Sequence, residues 1–360
     1  MVAVRDAGRA SLPKPLARCP LYFESPMSST LQNSLAVPVQ ALAWLGGQGT
    51  RAIAALVFLG IALPPVGELL KPFVTEAVFL LLCISFMRVD VSALRDHLRR
   101  PGLVIAATLW TTLAVPLIMG GTCLLTGLDE RSPGLYLALM LQAVASPMMA
   151  APAFAAVMGL DATLVLVTLV TSTALIPITA PLFAYAFFGT ALTLSPLGLG
   201  LKLLAILAGS LLVAGAVRWS AGASAIKRHV RPIDGLNVLI LFVFVAAVMG
   251  NVVGGFLADP AWIIELTGLA FAVFFALLGV TALIFRKAGH KRAMALGLMV
   301  SQRNMGIMLA ATDGVLPGTT WLYFALSQFP IYLSPQLLKP MVRRLSEPEA
   351  AVAATETGGA

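Results

Sequence analysis

The stretch that decides the fold is "RAMALGLMVSQRNMGIMLAA", residues 292–311. Both of its ends suit a helix in lipid. Between them stand Ser301, Gln302, Arg303 and Asn304, followed by Gly306. A guanidinium at bilayer depth costs at least about 3 kcal/mol on the most lenient insertion scale, so Arg303 has to face protein or a watery cavity. Gly306 weakens the helix further. The polar run therefore predicts a helix interrupted inside the membrane, where exposed backbone groups need protein, water, an ion or a ligand as partners.

A second segment has the same character. In "VASPMMAAPAF", residues 144–154, Pro147 and Pro152 fall within six positions of each other. Each removes a backbone hydrogen bond and crowds the preceding turn, so the helix is expected to break there.

Composition sets the frame for both. Hydrophobic residues make up 59% of the 360-residue chain and charged residues only 11%, against roughly 25% charged in soluble domains. This is an integral membrane protein. The net charge of +8 does not point to nucleic acid, because the Lys and Arg residues sit between apolar runs and act as a topology signal. Cys19, Cys83 and Cys123 have neither metal-like nor paired spacing. No H-E-x-x-H or G-x-S-x-G motif occurs, and His97, His229 and His290 all lie in basic connections, so neither an enzyme nor a cofactor is expected.

At about 20 apolar residues per spanning helix, the expected spans are the runs 52–67, 73–88, 102–125, 134–157, 162–188, 196–217, 235–255, 262–285, 293–312 and 318–340. Arg88, Arg95, Arg99 and Arg100 follow the second run. Arg218, Lys227, Arg228 and Arg231 follow the sixth, and Arg286, Lys287, Lys291 and Arg292 the eighth. With ten spans these all lie on one side, while "TGLDERSPG" (126–134) and "FLADPAW" (256–262) on the other are almost free of basic residues. The positive-inside rule then puts both termini in the cytoplasm of a cell (inner) membrane protein.

The expected organisation is a partly disordered N-terminal tail over 1–50, with Met27 as an alternative start, a first five-helix repeat over 51–190, a second over 195–343, and a disordered tail over 344–360. Within the first tail, "STLQNSLAVPVQALAWL" (29–45) reads as an interfacial helix interrupted at Pro38. Five spans per half would invert the second repeat relative to the first. Span four then corresponds to span nine, and these are the two interrupted spans. Paired interruptions in inverted halves point to a binding site near the midplane.

The candidate site is therefore Ser301, Gln302, Arg303 and Asn304 from span nine with Pro147 and Pro152 from span four. Thr168, Ser172 and Thr173, in "TLVTSTALIP" (168–177) of span five, either line the cavity or make ordinary helix contacts. Gln142 has the same two readings. Arg303 either attracts an anion or lies close enough to the cytoplasmic end to snorkel or to bond carbonyls freed by the break in span four. Glu76, Glu265 and Asp313 fall near outer span ends, at interfacial water.

Three stretches, "FMRVDVSALRDHLRRPGLVIAATLWTTLAVPLI" (86–118), "GLDATLVLVTLVTSTALIPITAPL" (159–182) and "RNMGIMLAA" (303–311), occur in the order and at the intervals of one known family. Over nearly all of residues 50–340 the chain resembles the bile acid:sodium symporters. That resemblance implies an all-α integral membrane fold of ten transmembrane helices in two inverted five-helix repeats, with helices four and nine broken and crossing. Spans 1, 2, 6 and 7 would form a panel, and spans 3–5 and 8–10 a core that moves against it. Two sodium ions would bind beside the crossing and organic anions between core and panel.

The sequence also departs from the family. Where members carry an oxygen-rich break in span four, this chain has "PMMAAPAF" (147–154). The family's Glu in span nine falls on or next to Met299, and Arg303 stands where a neutral Gln is usual, while Asn304 and Gly306 match. Sodium favours several oxygen ligands, so its site is poorly matched here. The resemblance implies a secondary transporter of small organic anions working by alternating access with a degenerate sodium site. The alternative is a sodium-independent or proton-coupled exporter of the antiporter or arsenite-extrusion type, which calls for a titratable carboxylate or thiol at the crossing. The expected partners are a small organic anion and the bilayer.

Overall fold

The computed structural model describes residues 29–48, 55, 58–60, 62–88, 101–188, 195–250 and 252–357. The N-terminal stretch with Cys19 and Met27, the connection with Arg95, His97, Arg99 and Arg100, and most of residues 51–57 lie outside the described residues. The chain divides into two units, residues 1–39 and 40–360, and the described part of the first is the opening of helix α1, Ser29–Gly47.

Among the described residues every regular element is helical. Pro64–Leu70 (α2) and a 3-10 turn, Lys71–Phe73, lead into Val74–Arg88 (α3). Pro101–Leu109 (α4) passes through a π-turn at Trp110–Ala114 into Val115–Leu125 (α5), followed by a short Leu128–Arg131 (α6). Next come Pro133–Val144 (α7), Ala151–Val157 (α8), Ala162–Phe183 (α9), Pro196–Ala221 (α10) and Ala223–Arg228 (α11). The chain continues through Val230–Met249 (α12), Val252–Ala258 (α13), Pro260–Ile284 (α14), His290–Ser301 (α15), Met305–Ala311 (α16) and Gly318–Thr357 (α17). Among the described residues six stretches are long and apolar enough to cross a membrane: Pro64–Arg88, Pro101–Leu125, Ala162–Phe188, Pro196–Ala221, Val230–Ala258 and Pro260–Ile284. The protein is a multi-pass, all-α membrane protein.

Several helix starts follow directly from the sequence. The Asp161 carboxylate accepts the Leu164 N–H at 3.0 Å, the Ser195 hydroxyl the Gly198 N–H at 3.1 Å, and the Asp259 carboxylate the Trp262 N–H at 3.1 Å. Pro133, Pro196 and Pro260 stand in first turns, where an N–H would have no helical partner.

Burial separates two kinds of helix. In α7 every residue from Leu135 to Val144 is buried, as are Ala293–Ser301 of α15 and all of α16. By contrast α10 and α14 expose Leu211, Leu212, Ile264 and Leu283. A helix that is apolar all round belongs inside, so the two interrupted segments form the centre and longer helices shield them. Close approaches at glycine allow this packing. Gly60 and Gly67 both back onto Ala246 of α12, nearer to each other than the roughly 10.5 Å of two straight helical turns, so the chain bends between them.

Two expectations need correction. Helix α1 runs through Pro38, because one lost hydrogen bond on an exposed stretch is tolerable. Pro152 does not break a helix but stands in the first turn of α8, where its missing N–H is not needed.

A Cβ at Gly67 would lie 2.5 Å from the Ala246 carbonyl oxygen, whereas one at Gly268 meets nothing within 4 Å. Gly67→Val is therefore expected to lower the Tm of the detergent-solubilised protein by about 5 °C, and Gly268→Ala to leave it near the wild-type value. Thermal-shift measurement checks both.

Candidate functional site

The two interruptions meet. Between α7 and α8, Pro147 lies opposite Arg303 of the break between α15 and α16 as an antiparallel bridge. The Met148 N–H donates to the Gln302 carbonyl at 2.7 Å, and the Asn304 N–H donates to the Ser146 carbonyl at 2.7 Å. Each break thus satisfies the backbone of the other, as a water-poor interior requires. Pro147 and Arg303 form the non-hydrogen-bonded pair of the bridge, a position where proline's missing N–H costs nothing.

Arg303 is only 2% exposed. Its Nη1 donates to the Ala145 carbonyl at 3.0 Å and to the Thr111 carbonyl at 3.3 Å. Both acceptors are left over from helix defects. Ala145 follows the last residue of α7, where no further turn supplies a donor. Near Thr111, the Val115 N–H reaches back to Trp110, and Pro116 brings no N–H at all. Nε and Nη2 have no hydrogen-bond partner among the described residues, and no carboxylate there forms an ion pair with the guanidinium. The guanidinium is buried, fixed, and not neutralised by a neighbouring acid.

The other candidates divide. Asn304 stands at the head of α16, half-buried, with no side-chain cap to the helix. Gln302 points away from the bridge's cavity side: its Nε2 donates to the Ser334 hydroxyl at 2.7 Å, tying the break to α17. Ser301 bonds back to Leu298 of its own helix at 2.9 Å. Gln142 accepts the Tyr323 hydroxyl at 2.7 Å, a bridge between helices. Thr168 and Ser172 are fully buried with unpartnered hydroxyls. Thr173 is likewise buried, its hydroxyl without a partner among the described residues, and it also lines a separate apolar groove with α10.

A cavity of about 110 Å³ lies against the crossing, lined by Arg303, Asn304 and Gly306 on one side and by α3 and α12 on the other. Gly306 keeps the approach close: a Cβ there would stand 3.2 Å from the Phe244 ring of α12 and from a Val78 methyl of α3, and those side chains would have to give by a few tenths of an ångström. Ser85, Met149, Ala150 and Asn237 also line a second cavity of about 480 Å³, which reaches Arg88 and Asp234. Those two form an ion pair at 2.6 Å. The two cavities share these four lining residues, and the wider one lies toward the end of the molecule where α3 ends and α12 begins. Pro152 lines the wider cavity rather than the crossing.

Sequence reading missed Ser85, Asn237 and Tyr332, which bring polar groups to the inner cavity. Asn237 gave the one available signal, an amide within the apolar run "GLNVLILF" (235–242).

These features define a multi-pass helical membrane protein in which two interrupted helices meet beside a buried cavity. No protein-family model and no curated protein matches the chain.

Replacing the guanidinium tests its structural share. Arg303→Met leaves two buried carbonyls without a donor, a loss of about 2–4 kcal/mol, and is expected to lower Tm by roughly 5–10 °C. Arg303→Lys, which keeps the charge but not the fork, should fall between. A melting curve for Arg303→Met that overlays wild type would show that Arg303 does not hold the crossing together.

Proposed function

We propose that the protein is a secondary transporter of small organic anions, built on the plan of the bile acid:sodium symporters, with Arg303 in the role that a bound cation plays elsewhere. The observation that carries this reading is the reciprocal bridge between the two interruptions, Ser146–Met148 against Gln302–Asn304. Two broken helices meeting beside a cavity are the arrangement that inverted-repeat transporters use to bind a substrate at the midplane. In this reading ten spans form two inverted repeats, and the cavity lies between the core (α7, α8, α15 and α16) and the panel (α3 and α12). Lys227 and Lys291 mark the cytoplasmic face, so the wider cavity beside Arg88 and Asp234 faces inward.

The charge pattern supports an anion. Among the described residues that line the inner cavity Arg303 is the one formally charged side chain, and none of them is a carboxylate or a thiol. A proton-coupled exporter would need such a group. Sodium fits the crossing poorly on positive grounds: the carbonyls of Ala145 and Thr111, left open by the two helix defects, are already bonded to the guanidinium. Met299, where the resembled family has a carboxylate, is fully buried among apolar neighbours. A fixed charge gives the site the sign that a loaded cation would give it.

The test is uptake of labelled benzoate, octanoate and cholate into proteoliposomes. We expect at least one to accumulate above protein-free vesicles, and Asn304→Ala to reduce its initial rate at least tenfold. No uptake of any of the three, or an Asn304→Ala rate equal to wild type, contradicts the reading.

A further inference from the structure

The inner cavity has a polar group on its panel wall that no part of the fold uses. Asn237, Leu241 and Phe244 all line the cavity, at the i, i+4 and i+7 spacing of one helix face. The side chain of Asn237 is therefore on the cavity side of α12. It is half-buried, and among the described residues it makes no hydrogen bond. Its amide stays open to the cavity with its donors uncommitted to the fold, free to pair with water or with a ligand group. Across the cavity Asn304 is in the same condition.

We propose that Asn237 is a substrate-binding and specificity-determining residue, and that its amide and that of Asn304 grip one oxyanion group of the ligand from opposite walls. This rests on the reading of the cavity as an organic-anion site. A carboxylate offers two oxygens, and each amide NH₂ donates to one of them. Arg303 adds positive field from behind while its Nη1 stays on the Ala145 and Thr111 carbonyls. The apolar remainder of the ligand lies along Leu82, Leu241 and Phe244 and extends toward the wider cavity. Because Asn304 belongs to the crossing and Asn237 to the opposing helix, one bound carboxylate joins the two walls. Neither wall alone completes the site.

The experiment measures equilibrium binding of labelled octanoate to full-length protein in detergent, with octanamide as competitor to report discrimination for the charged head. Asn237→Ala is expected to weaken octanoate at least tenfold, to change octanamide competition little, and so to lower the preference for carboxylate over amide. Asn237→Asp places a like charge beside the ligand and should abolish octanoate binding while keeping the wild-type melting temperature. Asn237→Ser, which keeps a donor, should retain more affinity than Asn237→Ala. Octanoate affinity in Asn237→Ala within twofold of wild type, or unchanged binding in Asn237→Asp, overturns the proposal. Wild-type protein that binds neither octanoate nor benzoate fails the anion reading itself and takes this inference with it. If wild type and the Asn237 variants bind equally while Asn304→Ala does not, only the role of Asn237 falls.

Discussion

Backbone amides and carbonyls in a membrane interior have to be paired, and in this protein two helices that stop halfway pair with each other. The hydrogen bonds Met148 N–H to Gln302 and Asn304 N–H to Ser146 settle most of the account for both breaks at once. The Ala145 carbonyl at the first break and the Thr111 carbonyl at the π-turn go to Arg303. Without that reciprocal pairing, α7, α8, α15 and α16 would each be a short buried helix with unsatisfied ends. The surrounding helices, with lipid-facing leucines on one side and buried small residues on the other, complete the enclosure.

The same constraint explains why the site is polar in its backbone but sparing in its side chains. Ser301 and Gln142 are used for helix contacts, and Gln302 anchors the break to α17. Polar residues in membrane proteins commonly serve in this way. What remains facing the cavity is an amide from each wall, a few neutral groups, and a guanidinium held by carbonyls. In the proposed reading such a cavity offers an anion hydrogen-bond donors and no like charge among the described residues. Its apolar walls suit an organic body attached to a small charged head.

Much of this was legible in the sequence because its signals are local. A triplet of polar residues followed by Gly306, and a proline at 147 inside an apolar run, mark breaks whatever the tertiary structure. Both alternatives open for Arg303 at that stage bear on the result: it bonds a freed carbonyl of span four, and it remains without an acidic partner. Pro152 was misread because proline has opposite effects in a helix interior and in a first turn, and only the position of the break distinguishes them. The carbonyl of Thr111 was traceable in principle to Pro116 in "TTLAVP" (111–116), but the π-turn that completes its isolation is a tertiary choice. Asn237 showed in the sequence as an amide in an apolar run, but its place at the site depends on which helix its face opposes, and periodicity alone does not give that.

The central claim is that a permanent positive charge at the crossing does what a bound cation does in transporters of the resembled type. It is tested most directly by measuring the octanoate dissociation constant of the purified protein in sodium and in sodium-free choline buffer of equal ionic strength. The account predicts the same value in both, within twofold, because the charge that favours the anion is part of the chain. An affinity that rises tenfold or more with sodium would contradict it and would make Arg303 a structural clamp beside a working cation site.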